Sequence, residues 1–288
     1  MAMTAPWITL VDAHDLAAAL GRDHLAIVDC RFALAAPQAG ETAYRQSHIP
    51  GARYAHLDRD LSAPKTAAAA DAGRHPWPNA NALCDRLGRW GIGSTHQVVA
   101  YDDGDSAIAA RLWFALRALG HTRVAVLDGG WARWTALGLA TDAQPVIAQA
   151  CNYQAEFDRG RLLDAAQVQS HLAAAGLLVD ARAAERFCGD VEPIDRVAGH
   201  VPGAVNRPYA ANLADGRFKP SARLAEEFRD LLGARAPAEV VAMCGSGVSA
   251  CHHLLAMEHA GLPGAALFTG SWSGWIADPR RPIATAAA

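Results

Sequence analysis

Short apolar runs recur along the chain, each closing on a polar residue or a cysteine: AIVDC (26–30), VVAYD (98–102), VAVLD (124–128), LLVD (177–180), VVAMC (240–244) and AALFT (265–269). Runs this short and this continuously apolar suit strands buried on both faces; half-buried strands would alternate. Between them lie stretches in which apolar residues return every third or fourth position, as in NANALCDRLGRWG (79–91) and SARLAEEFRDLLG (221–233). That spacing predicts amphipathic helices. Buried strands alternating with helices predict an α/β fold, a parallel sheet with helices on both faces. In such sheets ligands bind beyond the carboxyl ends of the strands.

The pattern is written twice. AIVDCRF (26–32) is echoed by LLVDARA (177–183), HIPGARY (48–54) by HVPGAVN (200–206), VVAYDDGDSAIAARLWFAL (98–116) by VVAMCGSGVSACHHLLAM (240–257), and LDGGWARW (127–134) by FTGSWSGW (268–275). Four blocks in the same order imply a diverged duplication, and so two tandem domains of one fold. The expected boundaries are 1–142 for the first domain, 143–160 for a weakly periodic, proline-containing linker, and 161–288 for the second.

Charge narrows the partners. The net charge is -3 and like charges form no blocks, which excludes a nucleic-acid footprint and a polybasic membrane anchor. No uncharged apolar run approaches a membrane span, and the amino terminus lacks the pattern of a secretory signal. The six cysteines (30, 84, 151, 188, 244 and 251) form no Cys-x-x-Cys pair. That favours free thiols in a reducing compartment over disulfides or structural zinc, and a cytoplasmic protein.

Candidate chemistry concentrates after the strand VVAM. Cys244 is followed by Gly245, Ser246, Gly247, Val248 and Ser249, and then by a helical segment. Glycines let successive backbone N–H groups converge into an anion-binding hollow, and the amino end of the next helix adds positive potential. Such a loop stabilises a thiolate and any negative group carried on the sulfur, as a covalent nucleophile requires. The repeat places Asp102 at the matching position of the first domain. An aspartate there reads as a degenerate, exposed copy of the site.

These residues resemble the tandem rhodanese-type sulfurtransferases, the thiosulfate and 3-mercaptopyruvate enzymes. The resemblance rests on VDARAAERF (179–187), GHVPGAVN (199–206), CGSGVSAC (244–251) and GSWSGW (270–275). It implies two rhodanese-like domains, the first catalytically degenerate, and a persulfide carried on Cys244 in ping-pong turnover. It also implies a small anionic sulfur donor, an acceptor thiol, cyanide or thioredoxin-like protein, and no metal or organic cofactor. Arg186 matches the arginine that reaches the donor, and Arg182 matches a neighbouring, more structural one. The uncharged triplet Gly245-Ser246-Gly247 resembles the mercaptopyruvate branch. That branch also carries a carboxylate-binding arginine where this chain has Ile194, which keeps thiosulfate open; Arg196 is the nearest substitute. A proton relay in the same branch matches Ser246 and, in a divergent stretch, His75 and Asp58.

Two other classes remain to be weighed. A phosphatase on this fold needs an arginine six residues after the cysteine, and that residue is Ala250. A non-enzymatic sulfur-carrier or binding module would not need an intact Cys244 loop together with Arg186. His48 and His200 recur in both halves although only one keeps the thiol, which marks them as structural.

Overall fold

The computed structural model describes residues 5–286, and their contacts divide them into two units. The first takes the described residues through Leu61 together with Pro78–Asp158; the second takes Ser62–Trp77 together with the residues from Arg159 onward. Ser62–Trp77 therefore lies in the first half of the chain but is built into the second unit.

In the first unit, strands β1 Leu10–Val11, β2 Leu25–Asp29, β3 Ala52–Tyr54, β4 Gln97–Tyr101 and β5 Val124–Leu127 form one sheet in the order β1-β5-β4-β2-β3. Every pairing is parallel. Helices α1 Ala13–Ala19, α2 Ala39–Gln46, α3 Leu57–Asp60, α4 Ala80–Arg89, α5 Ala107–Ala118 and α6 Gly130–Ala136 connect the strands. Ile27, Val99, Ala125 and Leu127 point to a core shared with Leu16 of α1, Tyr44 of α2 and Trp134 of α6. The intervening Val28, Val98, Ala100 and Val126 are buried too, so both faces are covered, as continuous apolar strands require. Asp12 and Asn79 cap α1 and α4 by accepting backbone N–H groups of the first turn.

The second unit repeats the plan. Its strands are β6 Leu162–Leu163, β7 Leu177–Asp180, β8 Val205–Asn206, the antiparallel pair β9 Leu213–Ala214 and β10 Arg217–Phe218, then β11 Val240–Met243 and β12 Ala266–Phe268. The main sheet runs β6-β12-β11-β7-β8, all parallel. Helices are α7 Ala165–Ala173, α8 Ala184–Cys188, α9 Ser221–Leu232, α10 Ala250–His259 and α11 Ser271–Trp275. Leu178, Val241, Met243 and Phe268 pack with Val168 of α7 and Trp272 and Trp275 of α11. Val179 and Ala242, on the opposite face, meet Phe228 and Leu232 of α9 and His253 and Met257 of α10. β11 is thus the central strand, walled on both sides, and its carboxyl end is where the fold presents chemistry. Among the described residues no helix is long and apolar enough to cross a membrane.

Two features lay outside the sequence reading. The tryptophan segments are short helices, α6 and α11. The β9–β10 hairpin packs its Phe218 ring on His252 at 4.4 Å between centroids, closing over the buried Asn212, His252 and His253. The duplicated histidines have matching structural roles. His48 bonds the Tyr44 carbonyl through Nδ1 at 2.7 Å, and His200 bonds that of Phe187 at 2.8 Å.

Candidate active site

Cys244 is the first residue beyond β11 and is 2% exposed. Its N–H donates to Ser271 Oγ (3.1 Å), which donates onward to the Phe268 carbonyl (3.0 Å). Its own carbonyl accepts the Trp272 N–H (3.0 Å), and that of Gly245 accepts the Ser273 N–H (2.9 Å). The strand end is therefore clamped to α11, which explains why the GSWSGW block travels with the cysteine loop in the sequence. Ser249 stands at the N-cap of α10, so the loop meets the positive end of that helix. Cys251, buried on α10, directs its thiol to the Gly247 carbonyl at 3.4 Å.

The first unit shows what this loop geometry holds. Asp102 follows β4 as Cys244 follows β11, and its carbonyl likewise accepts a tryptophan N–H, that of Trp131 (2.8 Å). Asp102 Oδ1 accepts from the backbone N–H of Gly104 (3.1 Å) and Ser106 (2.9 Å), and Oδ2 from Ile108 (3.0 Å) and Ala109 (3.1 Å). The expectation of an exposed aspartate is overturned, since Asp102 is 3% exposed. The loop has closed around the carboxylate because four converging donors need an acceptor. Burial and the nearby Asp105 push the Asp102 carboxyl up to about 7, against the pull of those donors. In the first unit this hollow is an anion receptor filled by the unit's own side chain; Cys244 holds the equivalent position in the second.

The guanidinium groups sort into two kinds. Arg182 is 1% exposed and fully committed: it pairs with Asp180 (2.7 Å), reaches Glu192 (3.4 Å) and the Gly199 carbonyl (2.8 Å), and lies 4.8 Å over the Trp272 ring. The first unit repeats this with Arg31, paired to Asp29 at 2.7 Å and 4.5 Å over Trp131. Arg196 donates to the Ile276 carbonyl at the end of α11. Arg186, on α8, is different. It grips Glu192 through Nε and Nη2 at 2.8 to 3.2 Å and Asp195 through Nη2 at 3.1 Å, and it stays 17% exposed beside the loop. Burial opposes ionisation of Glu192, but Arg186 and the backbone N–H groups of Asp195 and Ile194 outweigh it and hold its carboxyl below the usual range.

A residue missed from the sequence completes the group. Arg74 lies on the segment Ser62–Trp77; its N–H donates to Ser273 Oγ (2.9 Å) and its Nη1 pairs with Asp195 Oδ1. A Cβ placed on Gly245 would lie 3.1 Å from Arg74 Nη2 and 3.6 Å from Nη1 and Nη2 of Arg186. Two guanidiniums therefore flank the residue after the cysteine, bridged by Asp195. The next residue on the segment, His75, shares a 2.8 Å hydrogen bond between its Nδ1 and Ser246 Oγ, and both side chains are buried. Asp58 belongs to the first unit, in the first turn of α3, where its N–H donates to His56 Nδ1 at 3.1 Å. The only sequence signal for Arg74 was its place next to His75 in GRHPWPN.

Comparison with known proteins agrees with this architecture. The profile of the rhodanese-like domain matches residues 12–137 and again 164–278. A probable 3-mercaptopyruvate sulfurtransferase of Pseudomonas aeruginosa is 49% identical over 96% of this chain and 98% of its own length. A putative thiosulfate sulfurtransferase, SseB, of Mycobacterium tuberculosis is 39% identical over 98% of both. Among solved structures, the 3-mercaptopyruvate sulfurtransferase of Leishmania major superposes with a TM-score of 0.80 at 28% identity, covering 94% of this chain and 75% of that one. SseA of Escherichia coli, a 3-mercaptopyruvate sulfotransferase, superposes with a TM-score of 0.76 at 26% identity, covering 93% of this chain and 99% of that one. With the duplicated parallel sheets and the cysteine loop, these matches assign the chain to the tandem rhodanese-type sulfurtransferases.

Proposed function

We propose that the protein transfers a sulfane sulfur from 3-mercaptopyruvate to a thiophilic acceptor through a persulfide on Cys244, with thiosulfate as the alternative donor. The observation that carries this reading is a thiol at the carboxyl end of the central strand, at the head of α10, with Arg74 and Arg186 both set against Gly245. The paired guanidiniums take the donor's carboxylate by charge-assisted hydrogen bonds. Arg74 supplies the second cation that Ile194 withholds, while Arg182 and Arg196 hold the fold around it.

The Cys244 thiolate attacks the donor sulfur, an S–S bond forms, and the C–S bond of mercaptopyruvate breaks with its electron pair left on carbon as the pyruvate enolate. The proton of the donor thiol is passed through Ser246 and His75 to that carbon, releasing pyruvate. With thiosulfate the S–S bond breaks and sulfite departs with the pair, with no proton needed. An acceptor thiolate, cyanide or a thioredoxin-like protein then takes the outer sulfur and restores the Cys244 thiolate, giving ping-pong turnover. Six cysteines without a disulfide among them suit a cytoplasmic setting.

The test is intact mass after incubation with each donor in the absence of acceptor. The protein gains one sulfur atom, Cys244→Ser gains none, and the adduct disappears on adding cyanide. A wild-type chain that takes up no sulfur from either donor would overturn the assignment in favour of a binding module.

A further inference from the structure

The donor cleft holds an anion of its own. Asp195 is 5% exposed in its side chain and bridges the two donor-facing arginines, Oδ1 to Arg74 and Oδ2 to Arg186 at 3.1 Å. Arg186 is also held by Glu192, whose side chain is 4% exposed. Both carboxylates lie deeper than the guanidiniums, whose side chains remain 20% and 17% exposed. Arg182 brings no excess charge, because Asp180 matches it at 2.7 Å. Two resident cations thus face two resident anions, and the cleft is close to neutral before a donor arrives. The next cation along this rim would have come from position 194, where the chain has a 43% exposed isoleucine.

We infer that Asp195 sets the donor preference of this site: with Glu192 matching one of the two charges of Arg74 and Arg186, Asp195 removes the other and so favours a monoanionic carboxylate donor over a dianion such as thiosulfate. The inference rests on the sulfurtransferase reading given above. Its physical basis is Coulombic. A fixed negative charge beside the binding position repels a dianion about twice as strongly as a monoanion at the same distance. Hydrogen bonding survives, because Arg74 Nη2 and Arg186 Nη1, which lie beside Gly245, are not the nitrogens held by Asp195 and Glu192, so a small carboxylate keeps one donor from each guanidinium while the net attraction for extra charge is removed. Asp195 acts through the arginines and takes no part in the bond changes, so it is a positioning residue.

The experiment is steady-state kinetics of the full chain with mercaptopyruvate and with thiosulfate, cyanide being the common acceptor, for wild type, Asp195→Asn and Asp195→Glu. The readout is the ratio of kcat/KM for thiosulfate to that for mercaptopyruvate, in which the fraction of active protein cancels. Asp195→Asn raises the ratio about tenfold, mainly through a lower KM for thiosulfate, the size expected for one unit charge partly screened by solvent. Asp195→Glu, which keeps the charge, leaves the ratio within about twofold of wild type, as screened charges of equal sign should. A ratio unmoved in Asp195→Asn, or moved equally in both variants, overturns the inference. Intact mass is read in parallel: sulfur adducts with an unmoved ratio sink only the role of Asp195, whereas a wild type without adducts sinks the site assignment as well.

Discussion

At the scale of single residues, the two donors ask different things of the same site, and the proposed relay through Ser246 is needed by one of them only. Mercaptopyruvate leaves as an enolate that must be protonated at carbon, whereas sulfite leaves as a stable anion. The 2.8 Å contact between Ser246 Oγ and His75 Nδ1 is buried, so a proton passed along it is not exchanged freely with solvent. Losing a positioned proton donor costs about 100-fold or more in such steps. Ser246→Ala is therefore expected to lower kcat for mercaptopyruvate by about that factor and to leave thiosulfate turnover nearly unchanged. Equal losses with both donors would show that Ser246 shapes the loop instead. The reciprocal case is Asp102, where the same loop position carries a carboxylate and the four backbone donors are already spent on it. That unit has the receptor without the nucleophile.

At the scale of elements, the site depends on how closely the segment Ser62–Trp77 lies against α11. Arg74 and His75 reach the loop only because the backbone around Asp71 touches α11 at its glycines. A Cβ on Gly274 would stand 2.3 Å from the Asp71 carbonyl oxygen, and one on Gly270 would stand 2.4 Å from it. Arg281 then fixes the segment from outside, with Nη2 on Asp71 Oδ2 at 2.5 Å. Gly274→Ala should lift the segment away at an overpacking cost of about 1–3 kcal/mol. Hydrogen exchange would rise in residues 62–77 while the β11 core stays protected, and KM for mercaptopyruvate would rise with Arg74 displaced. Protection unchanged in 62–77 would contradict this account. The element also marks the limit of what the chain discloses in sequence. Cys244 and its loop and the strands ending at Asp29 and Asp180 are legible, because they follow from local periodicity, glycine content and an internal copy; Arg186 on α8 is legible only through the family resemblance. The placement of Arg74, the bridging role of Asp195 and the closure of the loop over Asp102 are not. They arise from contacts between residues far apart in sequence, made possible by missing side chains at Gly270 and Gly274 that carry no periodic signature.

At the scale of the whole molecule, each copy of the fold buries a titratable group, and the two are shifted so that their contributions to stability depend on pH in opposite senses. In the first unit burial and Asp105 raise the Asp102 carboxyl to about 7 from an ordinary 3.8. The folded unit then binds a proton more tightly than the unfolded chain, so this residue's contribution to stability is present at low pH and is lost as pH rises from about 4 through about 7. In the second unit His253 is wholly buried, with Nδ1 against Asn212 Nδ2 at 2.8 Å and Nε2 on the Arg207 carbonyl at 2.6 Å. Burial, aided by the charge of Arg207 and opposed by that carbonyl, lowers it to about 4 from 6.5. Here the unfolded chain holds the proton more tightly, so stability is complete above 6.5 and is lost as pH falls towards 4. Hydrogen exchange resolved by unit is the direct measurement: between pH 5 and pH 7.5 the Asp102 share of the first unit's protection should fall, opposed by the half-buried His96 and the buried His121, and the His253 share of the second unit's should rise, each read as wild type minus variant. Asp102→Asn should flatten only the first response and His253→Gln only the second. Wild-type-minus-variant differences of the same sign in both units, or a variant in one unit changing the other, would refute the assignment of these groups, because neither carboxyl nor imidazole has a reason to act beyond the core that buries it.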